Sequence, residues 1–236
     1  MKLKNQTVVV VGGSSGMGLG IAEAVAKEGA RVIIAARNLE RCQQVASKIG
    51  SDTEARAIDM TSEEKVEEFF KVMGCIDHLL IPGSSVKTGP IKTTSTKDVL
   101  ESIGSKFIGP LLCARYAKFS ENASLTLFSG SLSRKPGTSS LLGAINAAVE
   151  TLAKGLASEL APVRVNVISP GLTRDTNAFN GMPEGAREEM FSAFAKKLPV
   201  GRVGSPRDFG QAAIFVTTCG FVNGAVIDVD GGGLLV

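Results

Sequence analysis

A valine run that leads directly into a glycine-rich loop constrains this chain more than any other feature. Val8–Val11 are followed by Gly12, Gly13, Gly16 and Gly18, and then by a helical pattern. Glycines let the backbone turn sharply and approach a phosphate, and the N-terminus of a helix supplies free N–H groups. Strand, loop and helix in this order predict a phosphate-binding loop, with a purely structural turn as the alternative.

The rest of the chain alternates short apolar runs with helical patterns. The runs are nearly continuous in β-branched and apolar residues, as in strands that are buried on both faces. The predicted strands are Thr7–Val11, Arg31–Ala36, Ala55–Ile58, Asp77–Ile81, Ser124–Phe128, Val163–Ile168 and Val226–Val229. The predicted helices are Met17–Glu28, Leu39–Ile49, Ser62–Met73, Asp98–Phe119, Ser139–Leu160 and Pro206–Thr217. This alternation predicts an α/β fold, a doubly wound parallel sheet with helices on both faces.

No repeat, linker or low-complexity segment divides the sequence, so we expect a single domain over residues 1–236. One long irregular stretch runs from Pro170 to about Gly204 and contains a short predicted helix, Glu184–Lys197. Loops of this length in a compact domain are usually lids or binding segments. We expect the part from Leu172 to Val200 to shape a substrate pocket.

The composition argues against several classes of protein. Hydrophobic residues make up 44% and charged residues 21%, as in a globular protein rather than a disordered or fibrous one. No apolar run approaches the roughly 20 residues of a membrane helix, and the N-terminus lacks the apolar core of a secretory signal. A net charge of +3 and an aromatic content of 5% do not indicate nucleic-acid binding.

The counts of histidine and cysteine bear on metals and on the compartment. One histidine and four cysteines without a C-x-x-C spacing predict no metal site and no redox pair. We expect reduced, mostly packed thiols and a cytoplasmic location. The histidine, His78, is placed at the edge of a strand with a structural role.

The end of the second predicted strand bears on the nucleotide that such a loop would hold. An acidic residue there usually binds the adenosine ribose of NAD. In this chain the position, 18 residues after Gly18, is Ala36, and Arg37 follows it. With no carboxylate to repel a phosphate and a guanidinium to bind one, NADP(H) is favoured over NAD(H), unless Arg37 is simply a solvated surface residue.

Motifs along the whole chain resemble the short-chain dehydrogenase/reductase family. They are the glycine spacing, Asp59, the region of Ser129, Pro170-Gly171, Gly204-Ser205-Pro206, Asn223-Gly224 and Asp230-Gly231-Gly232. The resemblance runs from about Leu3 to Val236. It implies a Rossmann fold around a seven-stranded parallel sheet and hydride transfer between NAD(P) and an alcohol or carbonyl. It also implies a homodimer or homotetramer, and we expect the apolar C-terminus, Gly231–Val236, to pack at a subunit interface.

The resemblance also implies a set of cofactor-binding residues. They are Gly12, Ser14, Ser15, Gly16, Met17, Gly18, Arg37, Asp59, Met60, Pro82, Gly83, Pro170, Gly171 and Thr173. Asp59 and Met60 would lie at the adenine, and the stretch around Pro170 beside the nicotinamide. The family's threonine that helps to hold the carboxamide has no clean match, because Asp175 falls on its position and Thr173 and Thr176 lie on either side.

The catalytic positions depart from the family. Relatives carry a tyrosine with a lysine four residues later, but the one tyrosine here, Tyr116, is followed at that distance by Ser120. The resemblance puts Leu142 at the tyrosine position and Asn146 at the lysine position. Ser129, thirteen residues before Leu142, would be the retained serine, and Lys106 would replace the family's asparagine.

Each substituted position has more than one interpretation. Leu142 either widens the apolar stripe formed by Leu141, Ile145, Val149, Leu152, Leu156 and Leu160 or lines a modified pocket. Asn146 could bond a ribose hydroxyl. Lys106 could donate to a ribose or to a substrate oxygen, or be a solvated surface lysine. Arg134 and Lys135 either belong to a solvated turn or flank an anionic substrate.

Two functions follow from this sequence. The first is an NADP(H)-dependent oxidoreductase that acts on a small molecule with a non-standard proton donor, because the cofactor half looks intact. Ser129, a water molecule or Lys106 would stand in for the tyrosine. The second is a catalytically inactive NADPH-binding module with a regulatory or structural role, because the usual tyrosine and lysine are absent and a fold does not fix a function.

Overall fold

The computed structural model describes residues 1–50, 52–137, 139–176 and 179–236, and its centre is one parallel sheet of seven strands. The strands are β1 (Thr7–Val11), β2 (Arg31–Ala36), β3 (Thr53–Ala57), β4 (Cys75–Ile81), β5 (Lys118–Phe128), β6 (Arg164–Pro170) and β7 (Val226–Val229). Their order is β3-β2-β1-β4-β5-β6-β7. The order reverses between β1 and β4, and ligands of open α/β sheets bind at such a switch point, beyond the carboxyl ends of the strands.

The described residues form eight α-helices. They are α1 (Gly16–Lys27), α2 (Leu39–Ile49), α3 (Glu63–Met73), α4 (Thr96–Ile103), α5 (Gly109–Tyr116), α6 (Ser140–Glu159), α7 (Glu184–Ala195) and α8 (Pro206–Thr218). Short 3₁₀ turns lie at Ile91–Thr93 and Ser131–Ser133, and a π-helical turn at Gly104–Ile108 joins α4 to α5. Among the described helices, none combines the length and the apolar character that crossing a membrane requires.

Apolar clusters on both faces of the sheet explain why the strands read as continuous apolar runs. Val9 and Val11 pack with residues of α3, α5 and α6, whereas Val8 and Val10 pack with residues of α1 and α8. Successive side chains of a strand point to opposite faces, so Val8–Val11 must all be apolar. The predicted fold, a doubly wound parallel sheet, is confirmed.

The helix predicted over Asp98–Phe119 is confirmed over most of its length, because the backbone is helical from Thr96 to Tyr116, but its ends and its hydrogen bonding differ from the prediction. The structure has α4, the π-helical turn and α5 in its place, and Lys118 already belongs to β5. Pro110 has no N–H to donate to the carbonyl of Lys106 four residues earlier, so the regular hydrogen bonding of an α-helix is interrupted in this segment. The backbone accommodates the defect as a π-turn, and the sequence pattern alone conceals it because apolar periodicity continues on both sides.

The sequence analysis places His78 at the edge of a strand, and this position is wrong. His78 lies in the interior of β4. It is fully buried, with Nδ1 2.8 Å from Ser124 Oγ and Nε2 3.2 Å from Gln6 Oε1. The Gln6 oxygen can only accept, so Nε2 carries the proton and Nδ1 accepts from Ser124. Burial lowers the pKa of His78 to about 4. A neutral structural histidine is the result.

The other boundaries shift by a few residues, and the start of β5 moves the most, from Ser124 to Lys118. Four residues of β5, 120–123, interrupt its register with β4, and β5 begins at Lys118 because Cys75 and Ile76 pair with its start. The short helix α7 ends at Ala195, two residues before the predicted end.

Candidate active site

The glycine loop has the close contacts that phosphate binding requires. Gly12 has φ of +93°, and a Cβ there would lie 2.3 Å from the Cα of Gly83. A Cβ on Gly18 would lie 2.0 Å from the carbonyl oxygen of Gly12. Neither position can hold a side chain, so the turn leaves a cradle of bare backbone at the switch point of the sheet.

The N-terminus of α1 points its unsatisfied N–H groups at this cradle. Ser15 is the N-cap in extended conformation, and no acidic residue stands in the first turn of α1. By contrast, α2, α3 and α8 carry Glu40, Glu63 and Asp208 there. An anion at α1 therefore meets the positive end of the helix dipole with no competing carboxylate. Ser14 is buried below the loop, and Met17 packs against the core.

A cleft of about 320 Å³ opens between the loop and the long segment after β6. Its lining residues are Ser15, Gly16, Leu19, Arg41, Asp175, Thr176, Phe179, Asn180, Arg187, Glu188 and Phe191. The sequence analysis missed Arg41, whose Nε donates to the carbonyl of Ser14 over 3.2 Å. Its position four residues after Arg37, in the first turn of α2, was the available signal.

Arg37 and Asp59 lie together at the adjacent edge of the site. Arg37 is exposed, and its charge helps to lower the pKa of Asp59, for which the hydrogen bond from the Thr61 hydroxyl is the larger cause. Asp59 Oδ1 accepts from both the hydroxyl and the backbone N–H of Thr61. Asp59 therefore stays a carboxylate. Met60 packs beside Gly109, where a Cβ would meet its Cγ at 2.8 Å.

The segments after β4 and β6 complete the wall of the site. Gly83, after Pro82, donates its N–H to the carbonyl of Val11 over 3.0 Å, which sets it against the glycine loop. Gly171, after Pro170, donates to the carbonyl of Val229 over 3.1 Å, which ties the end of β6 to β7.

The two candidate threonines are placed differently. Thr173 is buried, and its hydroxyl donates to the carbonyl of Gly171 over 3.0 Å. Thr176 lines the cleft instead, and both it and Asp175 lie against Gly16. Asp175 has φ of +58°, so the chain turns there in a left-handed conformation. Thr176 is thus the threonine beside the phosphate loop.

Lys106 is buried, which excludes the solvated surface lysine. It lies in the π-turn, and Nζ donates over 3.2 Å to the carbonyls of both Phe128 and Ser129 at the end of β5. Burial lowers the pKa of Lys106 to about 8. Among the described residues no carboxylate pairs with it, so the desolvation of its charge is offset only by carbonyl dipoles.

Asn146 lies beside the next carbonyl of the same strand end. Its Nδ2 donates to the carbonyl of Gly130 over 3.3 Å. Its Oδ1 is buried and has no hydrogen-bond partner among the described residues. A buried acceptor without a partner costs about 1–3 kcal/mol, which a hydroxyl of a bound ligand would offset.

Leu142 lies outside the apolar core that the other residues of its helix face. The stripe residues Ile145, Val149 and Leu156 are buried in the core, and Leu141 packs against it. Leu142 is half-buried, and in the described part of the chain it belongs to none of the apolar clusters. Its side chain therefore does not extend the buried stripe.

Ser129 is buried at the end of β5 and bonds a carboxylate that the sequence analysis missed. Its Oγ donates to Glu150 Oε1 over 2.8 Å, and Ser133 Oγ donates to the same oxygen over 2.7 Å. Arg134 is not a free turn residue, because its Nη2 binds Ser169 Oγ over 2.7 Å and also binds Asp228. The signal for Glu150 was its place on α6, four residues after Asn146.

These features fit a dinucleotide cofactor. The glycine cradle and the start of α1 would hold its phosphates, and the unpartnered oxygen of Asn146 would accept from a ribose hydroxyl. Such a cofactor supplies or accepts a hydride, while this chain supplies the hydrogen-bonding groups around it.

Comparison with known proteins gives the same picture. A family model described as "Enoyl-(Acyl carrier protein) reductase" matches residues 11–233. The 3-oxoacyl-[acyl-carrier-protein] reductase of Bos taurus is 30% identical over 239 residues, covering 97% of this chain and 98% of the relative.

Two solved structures are similar over nearly their whole length. A small-chain dehydrogenase in complex with NADPH is 36% identical, with a TM-score of 0.84 and coverage of 98% of this chain and 99% of that one. An NADPH-bound short chain oxidoreductase from Pseudomonas aeruginosa PAO1, described as containing an atypical catalytic center, is 26% identical. Its TM-score is 0.89, and the match covers 98% of this chain and 97% of that one.

Proposed function

The chain belongs to the short-chain dehydrogenase/reductase family, and from this membership we propose that it is an NADP(H)-dependent oxidoreductase. It transfers a hydride between the cofactor and a carbonyl or alcohol of a small molecule, without the family's tyrosine. The observation that carries the proposal is the intact cradle of Gly12 and Gly18, where a Cβ would lie 2.3 Å and 2.0 Å from neighbouring backbone. The NADPH-bound neighbours support the same cofactor.

The preference for NADP(H) rests on Ala36 and two arginines. Ala36 offers no carboxylate to a ribose 2′-hydroxyl and none that would repel a 2′-phosphate. Arg37 and Arg41 are both exposed at the edge of the cradle, and Arg41 is anchored to the loop by its bond to Ser14. Guanidinium groups bind phosphate oxygens through paired N–H donors, so both residues would contact the 2′-phosphate.

Calorimetric titration with NADPH and NADH tests this preference. We expect tighter binding of NADPH, and an Arg37→Ala variant that loses NADPH affinity about tenfold while NADH affinity stays within about twofold, because one charge-assisted contact contributes about 1.5–3 kcal/mol. Arg115→Ala, a change of an exposed arginine on α5, is the control. Equal affinity for the two nucleotides in the unaltered protein would contradict the preference.

At the reacting end, the chain's own residues hold the substrate and the cofactor. Asn146 would accept from a ribose hydroxyl, Lys106 would keep the carbonyls of Phe128 and Ser129 in place beside the nicotinamide, and Ser129 would bond the substrate oxygen. Positioning alone retains a large part of catalysis, so loss of the tyrosine lowers the rate without abolishing it. Proton exchange then falls to Ser129, a bound water or Lys106.

A direct test is turnover with NADPH and a panel of carbonyls, and with NADP⁺ and a panel of alcohols. We expect protein-dependent oxidation or reduction of the cofactor with at least one compound. Turnover that is unchanged in a Ser129→Ala, Asn146→Ala double variant would contradict the assigned site.

The alternative is an NADPH-binding regulatory or structural module, favoured by Leu142, which cannot donate a proton. Co-purification discriminates between the two. A stable second protein whose affinity changes between NADPH and NADP⁺ would support the module, and hydride transfer to a metabolite would support the enzyme.

We also propose that the protein is a homodimer or homotetramer. The family resemblance implies such an assembly, and Phe221 and Leu235, which are 101% and 83% exposed, are apolar side chains that subunit contacts could bury. Sedimentation velocity tests this, and a monomer at micromolar concentration would contradict it.

A further inference from the structure

The hydroxyl of Ser129 is already committed as a hydrogen-bond donor. Its Oγ lies 2.8 Å from Glu150 Oε1, and a carboxylate can only accept. Ser129 therefore offers lone pairs, and no proton, to a substrate that lies against it. A substrate carbonyl also offers only lone pairs, so the two groups do not match. A substrate hydroxyl donates, and it does match.

The charges around this pair favour the removal of a proton from the substrate. Glu150 is largely buried, with a side chain that is 12% exposed. Arg134 Nη2 lies 3.8 Å from Glu150 Oε1 and also binds Asp228. This cluster, Glu150, Arg134 and Asp228, has two carboxylates and one guanidinium and is net negative. Lys106 approaches the same strand end, but its Nζ is directed to the carbonyls of Phe128 and Ser129.

We propose that Glu150 is a positioning residue that turns Ser129 into a hydrogen-bond acceptor, so that the site takes its substrate as an alcohol and oxidises it. This inference rests on the proposed function and assigns it a direction. Glu150 acts through Ser129 and does not touch the substrate.

Oxidation of the alcohol moves two protons and one hydride. The O–H proton of the alcohol passes to Ser129 Oγ while the proton of Ser129 passes to Glu150 Oε1. The carbon–hydrogen bond breaks with both electrons, and the hydride passes to NADP⁺, the oxidant. The products are a carbonyl compound, NADPH and a protonated Glu150, which returns its proton to water. The reverse reaction follows the same path in the opposite sense and takes up one proton from water overall.

Glu150→Gln tests the proposal, because glutamine keeps the size of the side chain and cannot take up a proton. With NADP⁺ and a panel of secondary alcohols, we expect kcat to fall about 100-fold, the range of a lost general base. The acid limb of the pH profile should disappear. Affinity for NADPH should change less than threefold. Ser129→Ala should lower kcat by about the same factor, and the double variant should lower it little further than either single change.

Two controls separate this role from a structural one. Glu159→Gln makes the same change on an exposed residue of α6 and should leave kcat unchanged. Ser133→Ala removes the other hydrogen bond to Glu150 Oε1 and should keep the acid limb of the pH profile.

A readout without turnover tests the hydrogen bond itself. The infrared carboxylate band that is lost in Glu150→Gln should shift in Ser129→Ala, with NADPH bound or absent. A band that Ser129→Ala leaves in place would overturn the proposal.

The remaining outcomes are distinguishable. If hydride transfer occurs and Glu150→Gln behaves like Glu159→Gln, this inference is overturned and the proposed function stands. If carbonyls are reduced at neutral pH and no alcohol is oxidised, the inferred preference for alcohol oxidation is overturned, and the proposed function again stands. If NADPH binds and no hydride moves in either direction, both the proposed function and this inference are overturned.

Discussion

Two single residues of this site, a buried cation and a buried polar side chain, lower the stability of the folded chain. Lys106 is a buried cation whose Nζ meets two carbonyls, and Asn146 holds a buried oxygen that has no partner in the described part of the chain. Each lowers the stability of the folded chain by a few kcal/mol. Groups of this kind persist where a ligand uses them, and both lie at the carboxyl end of β5, beside the predicted nicotinamide site.

Lys106→Met should raise the stability of the protein and weaken its cofactor binding. The free energy of unfolding at pH 7 should rise by roughly 1–3 kcal/mol, because an apolar side chain replaces a buried charge. Affinity for NADPH should fall several-fold. In the unaltered protein that affinity should also decline as the pH rises through about 8, where Lys106 loses its proton, and the variant should lack this dependence.

Urea unfolding and calorimetric titration at several pH values measure both effects. Wild-type NADPH affinity and turnover in the variant would show that Lys106 does not serve the cofactor.

His78 should make the protein less stable as the pH falls. Its pKa is about 4 in the folded chain, against an ordinary value of 6.5, because it is buried. The unfolded chain therefore takes up the proton first. The stability from His78 is fully present above pH 6.5 and is lost as the pH falls towards 4. Between pH 7.5 and pH 5 the loss amounts to about 2 kcal/mol.

Urea unfolding of the unaltered protein and of His78→Gln at both pH values isolates this share, because the carboxylates titrate in both proteins. An equal pH dependence in the two proteins would show that His78 is accessible to protons in the folded state.

At the scale of elements, the glycine loop and the segment from α4 to β5 differ in how far the sequence predicts them. The loop could be predicted because all its parts, β1, the glycines and α1, are contiguous in sequence. The contact of Lys106 from the π-turn could not, since it joins this side chain to carbonyls 22 and 23 residues further along the chain. The contact of Glu150 could not be predicted for the same reason, because its partner Ser129 lies 21 residues away in the sequence. Local pattern predicts elements, and tertiary contact decides which polar residues meet.

Gly18→Ala should disrupt the loop and with it cofactor binding. The added Cβ would lie 2.0 Å from the carbonyl oxygen of Gly12, and since that oxygen is backbone the loop must move. We expect NADPH affinity to fall more than tenfold and the free energy of unfolding to drop by about 1–3 kcal/mol, the range of overpacking.

Gly185→Ala in α7 is the matched control. No atom lies within 4 Å of a Cβ at that position, so this change should stabilise the helix by up to about 1 kcal/mol and leave NADPH affinity unaltered. Unchanged binding in Gly18→Ala would mean that the loop does not hold the phosphates.

At the scale of the molecule, the sheet order brings distant residues to one edge. The reversal between β1 and β4 opens the crevice, and β5 and β6 bring Ser129 and Pro170 to the same carboxyl edge of the sheet as the loop. The sequence predicted this architecture because alternating strands and helices allow few arrangements. The substrate does not follow from it, since the segment after β6 is irregular and its chemistry is set by side chains far apart in sequence.

The most direct test of the central claim, hydride transfer without the tyrosine, uses NADPH that carries deuterium at the transferable position. The purified protein is incubated with it and with a protein-free metabolite extract, and mass spectrometry follows the label. A site that oxidises an alcohol also catalyses the reverse hydride transfer, so we predict deuterium in at least one metabolite, dependent on the protein and reduced at least tenfold by Ser129→Ala, in line with the loss of a proton-handling group. No labelled metabolite, with NADPH shown to be bound in the same tube, would contradict the claim and favour a cofactor-binding module.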